Sequence, residues 1–286
     1  MTSFRIAIAQ PTLTADPRVN GRKVRELMRR SAAAAARLVQ FPEGTLSGYL
    51  KEQLGSWDDV DFEAVREEAQ QVVALARELG MWVVLGSAHQ LTEPNGPHNS
   101  VYVISDRGLV IDRYDKRFCS HTEITGCTSP GVEPVMFDVD GFRFGCAICL
   151  EINFPQVFSH YEEQGVDCLL LSAYPSRRSE QGEGVADSIF EVKARGHASI
   201  NCYWVALSAP QQTADLVRSG LIGPNGALMA QAHVGDELVI GVLDRDAPDL
   251  QVALTKARPW RTSAKVGDIH GSRQVADDRS TDRSGL

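Results

Sequence analysis

The sequence predicts a layered α/β fold in which the sheets are mixed. Helical stretches separate short apolar runs in the first third of the chain, a pattern typical of buried strands in such folds. Closely spaced strands follow in the middle and near the end, where turn signals such as Asp140-Gly141 favour antiparallel pairing. The predicted order is β-α-β-α, four strands, α-β-α and about four further strands.

Strands and helices alternate in the first third. The strand "FRIAIAQ" alternates apolar residues with small or polar ones, and the strand that ends in "QF" stops at Pro42. A long amphipathic helix ends at Gly80, a residue that favours helix termination. The predicted elements are the strand "FRIAIAQ", a helix over 20–36, a strand over 37–41, a helix over 62–79 and a strand over 81–88.

Hairpins dominate the rest of the chain. Two-residue and three-residue turn signals join most of its strands, and a proline near the start of "PQVFSHYEEQG" favours a helix there. The predicted elements are the hairpin "NSVYVIS"/"LVIDRYD", the hairpin within "PVMFDVDGFRFGCAIC", the helix "PQVFSHYEEQG", the strand "DCLLLSA", a helix over 186–200, the strand "CYWVALSA", the hairpin "RSGLIGPNGALMAQ" and a strand over 237–244.

Composition narrows the class of protein. The chain has 286 residues, 43% hydrophobic and 23% charged, as in ordinary soluble proteins. Its net charge of -8 argues against a nucleic-acid partner. We see no signal peptide and no apolar run long enough to span a membrane, so we expect no membrane association. Six irregularly scattered cysteines fit reduced thiols, which predicts a cytoplasmic protein.

The stretch "GCAICLEINFPQ" holds Cys146 and Cys149 in a C-x-x-C pair, a pattern shared by redox dithiols and halves of zinc sites. The pair lies in or at the end of a strand, where positions i and i+3 point to opposite faces, so the thiols do not easily meet. A zinc site needs a second pair or a histidine tract, and the sequence has neither. We therefore expect no metal site, and we interpret Cys146, Cys168 and Cys202 as buried apolar residues.

Cys149 differs because it ends an apolar run and polar residues follow it. The carboxyl end of a strand, before a turn into a helix, is where α/β folds build their sites. Two further strand ends carry charged residues. Glu43 follows a buried strand and is fixed by Pro42, and Lys116 follows another strand, with Glu123 seven residues later. Each charged residue alone is typical of a solvated loop.

Together, "FPE…GY", "YDK…E…PG" and "GCAIC…FP" resemble the nitrilase, or carbon–nitrogen hydrolase, superfamily in its amidase-like branch. The resemblance covers about residues 4–245 in the right order, and "NSVYVIS" and "SGLIGPNGALMA" also look like that family. It implies a four-layer αββα sandwich with two mixed β-sheets.

The resemblance also implies roles for single residues. Cys149 would be the nucleophile, Glu43 the general base and Lys116 an electrophilic stabiliser. Glu123 would hold Lys116 in place and charged, or help to position the substrate. The backbone N–H of Leu150 would share the oxyanion with Lys116. An amide is a poor electrophile, so the thiol needs an adjacent base or cation that generates thiolate. This chemistry requires no metal or organic cofactor.

Some positions depart from the family pattern. Many relatives read "ICYD-x-RFPE", whereas this chain has Leu150, Glu151, Asn153 and Gln156 at the differing positions. Ile152 stands where N-carbamoyl-amino-acid hydrolases carry an arginine that grips a carboxylate, which counts against such substrates. Arg177 or Arg178 could substitute for that arginine.

The leading hypothesis is hydrolysis of a non-peptide C–N bond in a small amide through a thioester, with release of ammonia or an amine. The alternatives are a nitrilase that forms an acid from a nitrile, a less favoured acyltransferase and a catalytically silent binding protein. The intact set of Glu43, Lys116 and Cys149 speaks against the silent protein. Four residues next to the motifs are expected to line the substrate pocket, unless they serve ordinary packing or loop exposure: Tyr49, His121, Phe154 and Tyr174.

Domain organisation completes the prediction. Residues 1–266 are expected to form one carbon–nitrogen hydrolase domain, followed by the polar tail 267–286. Members of the family usually pair so that their sheets continue across a dimer, so we expect a homodimer or a larger homo-oligomer. The tail is expected to be disordered or docked on a partner subunit.

Overall fold

A computed structural model describes residues 2–50, 52–175 and 189–265. The helices and strands within these ranges follow in chain order: β1 (Ser3–Ala9), α1 (Pro17–Ala33), β2 (Leu38–Gln40), α2 (Phe62–Leu79), β3 (Trp82–His89), β4 (His98–Ile104), β5 (Val110–Asp115), α3 (His121–Thr125), β6 (Met136–Val139), β7 (Phe142–Ile148), α4 (Pro155–Glu163), β8 (Cys168–Ser172), α5 (Ile189–Asn201), β9 (Trp204–Ser208), β10 (Gly220–Ile222), β11 (Leu228–Gln231), β12 (Leu238–Asp244) and α6 (Arg258–Lys265).

The strands form two six-stranded sheets. The first has the order β12-β1-β2-β3-β4-β5, and the second has the order β11-β10-β9-β8-β7-β6. Each sheet has a parallel centre, β1-β2-β3 in one and β7-β8-β9 in the other, flanked by antiparallel strands. The prediction of mixed sheets is confirmed.

The sheets pack face to face between two layers of helices. Alternation along β1 shows the arrangement: Phe4, Ile6 and Ile8 enter the core shared with the second sheet, whereas Ala7 and Ala9 enter the core under α1 and α2. Helices α4 and α5 pack on the second sheet, since their buried side chains join the same core as β7, β8 and β9. The four-layer αββα sandwich is therefore confirmed.

Most predicted elements lie within a few residues of the observed ones, and their signals explain why. The helix α2 ends at Gly80, which has a left-handed φ of 59°. The β6–β7 turn has positive φ at both Asp140 (51°) and Gly141 (85°), as a two-residue hairpin turn requires. The helix α1 begins at Pro17 rather than at 20, because the Asp16 side chain caps it by accepting from the Arg18 backbone N–H at 2.8 Å.

Two parts of the prediction are wrong or incomplete. The predicted order counts four strands in the middle of the chain, whereas the elements predicted there one by one are five, and the structure has these five, β3 to β7. The helix α6 was not expected, since its sequence is polar. It is held by ion pairs from Arg261 and Lys265 to the buried Glu162 of α4. The predicted tail 267–286 and the region of Arg177 and Arg178 lie outside the described residues.

The directions of the strands bring the predicted site residues together. In the first sheet β4 is antiparallel to both β3 and β5, so β5 runs in the same direction as β2 and β3. Glu43 and Lys116, which follow β2 and β5, therefore lie at one edge of the sandwich. Cys149 follows β7 and Tyr174 follows β8, at the corresponding carboxyl ends of the second sheet.

Candidate active site

The site is a buried cluster at the strand ends of both sheets. Glu43 is 0% exposed, Lys116 1%, Glu123 1% and Cys149 8%. Charged side chains are almost never buried to this degree unless they are paired, so the cluster must satisfy its own charges. The structure thus brings the four predicted catalytic residues into one region.

The Lys116 ammonium joins the two carboxylates. Its Nζ donates to Glu43 Oε1 at 2.8 Å and to Glu123 Oε1 at 2.9 Å. Glu123 is fixed further by the Ser120 backbone N–H, which donates to its Oε2 at 2.6 Å. Because α3 begins at His121, Glu123 lies in the first turn of that short helix and reaches back to Lys116.

Asn99 belongs to this cluster, and the sequence prediction missed it. Its Nδ2 donates to Glu43 Oε1 at 2.7 Å and to Glu123 Oε1 at 2.6 Å, so it bridges the same two oxygens as Lys116. The Lys116 backbone N–H also donates to the Asn99 carbonyl at 2.8 Å. A polar residue at the start of the antiparallel strand β4, in "HNSVYVI", was the available signal.

Cys149 lies in a sharp turn directly after β7. A 3₁₀ turn spans Cys149–Asn153, and Cys149 has a φ of +45°, in the left-handed region that residues with side chains rarely adopt. Its Sγ donates to the Tyr174 carbonyl at 3.6 Å, and the Tyr174 N–H donates to Glu43 Oε2 at 2.8 Å. The Tyr174 backbone therefore connects the thiol with the carboxylate of Glu43.

Close backbone packing fixes Glu43. A Cβ added to Gly86 of β3 would lie 2.0 Å from the Pro42 carbonyl oxygen and 3.1 Å from the Glu43 Cα. The Leu46 N–H donates to the Gly86 carbonyl at 3.0 Å. Glycine at this position allows the loop after β2 to lie against β3.

Burial raises the pKa of both Glu43 and Cys149. It raises the pKa of Glu43 above its usual value, although Lys116 opposes the shift. Burial, with a smaller contribution from Glu43, also raises the pKa of the Cys149 thiol well above its usual value. The resting thiol is therefore protonated, and its activation requires a base.

The other two groups remain charged. Burial alone would lower the pKa of Lys116, but Glu123 and Glu43 outweigh it and raise that pKa well above its usual value. Burial alone would raise the pKa of Glu123, but Lys116 and the hydrogen bonds from Lys116, Ser120 and Asn99 outweigh it and lower that pKa. The pKa values of the two carboxyl groups are thus shifted in opposite directions. Such a divergence is typical of sites in which one carboxyl group exchanges a proton and a second one stays ionised.

The four expected pocket residues differ in their surroundings. Tyr49 and Tyr174 stack with ring centroids 4.6 Å apart, and Phe154 stacks on Phe118 at 4.1 Å. His121, by contrast, is exposed at the start of α3. Leu150 follows Cys149 in the 3₁₀ turn and is half-buried.

Cys146, Cys168 and Cys202 are buried, as predicted. All six cysteines are free, and Cys146 and Cys168 are 0% exposed within the core between the sheets. Within the described ranges, no group of three or more histidine, cysteine or acidic side chains is arranged to hold a metal ion. No helix in that part of the chain is long and apolar enough to cross a membrane.

Known proteins resemble this chain along most of its length. The carbon–nitrogen hydrolase family model matches residues 5–249. The deaminated glutathione amidase of Homo sapiens is 27% identical over 268 residues, which is 84% of this chain and 76% of that protein. The omega-amidase NIT2 of Homo sapiens is 24% identical over 257 residues, 85% of this chain and 90% of that protein.

Solved structures share the fold. The amidase from Nesterenkonia sp. superposes with a TM-score of 0.73 at 21% identity, covering 92% of this chain and 97% of that one. Nit3 of Saccharomyces cerevisiae, a member of branch 10 of the nitrilase superfamily, gives a TM-score of 0.72 at 19% identity, covering 90% and 95%. The chain belongs to the carbon–nitrogen hydrolase family, whose members act on carbon–nitrogen bonds other than peptide bonds.

Proposed function

We propose that this protein is an amidase that cleaves a small amide through a thioester on Cys149. The observation that carries the proposal is the buried cluster in which one ammonium meets two carboxylates beside a cysteine held in a strained turn. Such a cluster costs free energy to bury, which a purely structural region would avoid. Perturbed titratable groups that converge in one place are typical of catalytic sites.

In the first half-reaction Glu43 accepts the proton of the Cys149 thiol, and the sulfur attacks the amide carbon. The carbonyl becomes an oxyanion, which the Lys116 ammonium and the Leu150 backbone N–H stabilise. Glu43 then delivers its proton to the nitrogen, the C–N bond breaks, and ammonia or an amine leaves. The acyl group remains on Cys149 as a thioester.

In the second half-reaction Glu43 removes a proton from water, which attacks the thioester. The C–S bond breaks, the carboxylic acid leaves, and the proton returns to Cys149. One carboxylate thus accepts and donates a proton twice in each cycle. A pKa raised by burial supports this use, because it lies nearer to the working pH than that of an exposed glutamate.

Lys116 and Glu123 are assigned different tasks. An ammonium has three donors, and two of them point to the carboxylates, so the third is assigned to the oxyanion. Glu123 is assigned to hold Lys116 charged, because its lowered pKa keeps it an anion through the cycle. Fixed donors of this kind act without reorganisation during the reaction.

Two similar proteins support an amide substrate. Both curated relatives described above are called amidases. A structure of a glutamate-to-glutamine mutant of the Nesterenkonia amidase shows covalent addition of the acetamide moiety of fluoroacetamide at the active-site cysteine. A nitrilase activity uses the same residues and remains the second candidate, and a silent binding protein is disfavoured by the buried charges.

The test is an ammonia-release screen over small aliphatic amides, nitriles and carbamoyl compounds. We expect turnover of at least one amide, and we expect the Cys149→Ser variant to abolish it. Turnover confined to nitriles would assign the protein as a nitrilase. A Cys149→Ser variant with full turnover would refute the mechanism.

The remaining assignments are also proposals. We propose that residues 1–266 act as one domain and that the protein is cytoplasmic, which suits its six free thiols. We propose a homodimer as well, because α5 carries two exposed apolar side chains, Val192 (57%) and Ile200 (56%). Sedimentation of the purified chain at several concentrations should give the mass of a dimer, and a monomer at all concentrations would contradict this proposal.

A further inference from the structure

We propose that Glu151 is a positioning residue whose buried carboxylate ties the turn that presents Cys149 to the loop that follows Lys116. The inference rests on the proposed function, because it concerns how the nucleophile and the oxyanion stabiliser are kept in register. Glu151 lies two residues after Cys149 and is 0% exposed.

On one side the carboxylate holds the Cys149 turn. The Ile148 backbone N–H, at the last residue of β7, donates to Glu151 Oε2 at 2.7 Å. Cys149 follows directly with its φ of +45°. A backbone in this region persists only where surrounding contacts hold it, and the Glu151 contact supplies one across the turn itself.

On the other side the same carboxylate holds the Lys116 loop. The Arg117 backbone N–H donates to Glu151 Oε1 at 2.8 Å, and the Phe118 N–H approaches the same atom at 3.3 Å. Lys116 immediately precedes these two residues. One side chain thus bridges the second sheet, which carries Cys149, and the first sheet, which carries Lys116.

Tyr114 completes the bridge from within β5. Its hydroxyl lies 2.7 Å from both carboxylate oxygens, and its side chain is fully buried. Burial and the charge of Glu151 raise the pKa of Tyr114 well above its usual value, so the phenol remains a donor at neutral pH. The Arg117 Nε in turn donates to the Tyr114 oxygen at 3.2 Å and brings a positive charge near the buried anion.

Each group around Glu151 is a donor, which makes the contact specific for a carboxylate. The backbone N–H groups of Ile148 and Arg117 can only donate hydrogen bonds. A glutamine at position 151 would therefore direct its NH₂ group, also a donor, at one of them. Desolvating an anion is costly unless its hydrogen bonds are met, and here they are met from three elements. The net result is a rigid connection between the two reacting groups.

The test compares Glu151→Gln with Glu68→Gln, measuring kcat, KM and the rate at which iodoacetamide alkylates Cys149. Glu68 is a matched control, since it is also buried and ion-paired, with Arg25, but it joins α1 to α2. For Glu151→Gln we expect kcat and the alkylation rate to fall about 10- to 100-fold with KM little changed, as for misplacement of reacting groups by about 1 Å. For Glu68→Gln we expect both rates to stay near those of the wild type.

Two further variants keep the test decisive. Glu151→Asp keeps the charge at shorter reach and should recover part of the lost kcat. Tyr114→Phe removes one donor and leaves the backbone contacts, so it should lower kcat less than Glu151→Gln, and it decides the matter if Glu151→Gln does not fold. Three results would overturn the proposal: a wild-type kcat in Glu151→Gln, a wild-type kcat in Tyr114→Phe if Glu151→Gln does not fold, or equal losses in Glu151→Gln and Glu68→Gln.

The outcomes separate this inference from the proposed function. If the wild-type protein turns over an amide and iodoacetamide alkylates it selectively at Cys149, the proposed function stands whatever the Glu151 variants do. If the wild type does neither, the proposed function fails and the positioning role fails with it. If the wild type is active and Glu151→Gln matches it, only the positioning role fails.

Discussion

At the scale of single residues, the site is a small charge network with a division of labour. Lys116 and Asn99 both donate to the same oxygens of Glu43 and Glu123, yet the two carboxylates have opposite pKa shifts. The difference follows from their surroundings. Burial dominates at Glu43, where the charge of Glu123 raises the pKa further, whereas at Glu123 the charge of Lys116 and the hydrogen bonds from Lys116, Ser120 and Asn99 outweigh burial. Two glutamates in one cluster thus differ in pKa because their neighbours differ.

Replacement of Asn99 by alanine tests this network. The Asn99 hydrogen bond favours the ionised form of Glu43, so its loss should raise the pKa of Glu43 further. Glu43 must be ionised to accept the thiol proton, and activity is lost as the pH falls through its pKa. We therefore expect the acidic limb of the kcat/KM profile to move to higher pH, with activity about 10-fold lower at neutral pH.

Asn201→Ala is the control, because Asn201 is also buried but lies at the end of α5. Its acidic limb should coincide with that of the wild type. An unmoved limb in Asn99→Ala would mean that Glu43 does not govern the profile.

Residue-scale prediction from the sequence was effective where a family motif marked the position. Cys149, Glu43, Lys116 and Glu123 were expected in one site, and they lie together. Asn99 was missed because an asparagine at a strand start is typical of an ordinary edge residue. Only the pairing of β4 with β5 reveals that it faces Lys116.

At the scale of elements, strand ends and one tight approach of backbones create the site. The loop after β2 crosses β3 at Gly86, where a Cβ would meet the Pro42 carbonyl oxygen at 2.0 Å. The Gly86→Ala variant should lose about 1–3 kcal/mol of stability, as overpacked positions do. Its kcat per folded molecule should also fall, because relief of the clash moves Glu43.

Gly196→Ala in α5 provides the matched control, since nothing lies within 4 Å of a Cβ added there. Alanine favours helices over glycine, so this variant should gain about 0.5–1 kcal/mol. Thermal unfolding and kcat of both variants check the expectation. A fully active Gly86→Ala protein would contradict the proposed packing of the loop against β3.

Elements could be predicted well where local signals were strong. The turn at Asp140-Gly141 and the glycine at the end of α2 were read from residue type alone, and the structure has both. The helix α6 could not be predicted, because its residues are polar and its contacts are ion pairs with Glu162 of α4. Ion pairs between distant segments leave no apolar stripe in the sequence, and no residue of α6 is buried.

At the scale of the whole molecule, an aromatic core between the sheets holds the sandwich together. Phe4 of the first sheet contacts Phe142 and Phe144 of the second, with ring centroids 5.5 and 5.1 Å apart. Phe142 begins β7, and Cys149 follows the other end of that strand. Stability and catalysis therefore depend on opposite ends of the same strand.

The Phe142→Ala variant should separate the two properties. Loss of this fully buried ring is expected to cost about 3–5 kcal/mol of the free energy of unfolding. Below its lowered melting temperature, kcat per folded molecule should remain that of the wild type. Denaturant unfolding and active-site titration measure these quantities, and a proportional loss of kcat would show that the core and the site are not independent.

The sequence could indicate the class of fold but not, by itself, its layering. Periodicity predicted α/β with mixed sheets, and this much follows from residue patterns. That the strands divide into two sheets of six depends on long-range pairing, which no local pattern encodes. The resemblance to a family supplied that step, because its ordered motifs mark the strand ends that must meet.

Alkylation of the six cysteines measures whether Cys149 is an activated nucleophile, as we propose. Native protein would be treated with limiting iodoacetamide and the modified peptides quantified over time. If accessibility alone set the rate of alkylation, the exposed Cys127 would react first. Cys149 is only 8% exposed, and burial raises the pKa of its thiol. The account predicts that Cys149 nevertheless reacts fastest, and that Glu43→Gln slows it about 100-fold or more. A Cys149 that reacts no faster than the buried Cys168 or Cys202, or equally fast without Glu43, would contradict the account.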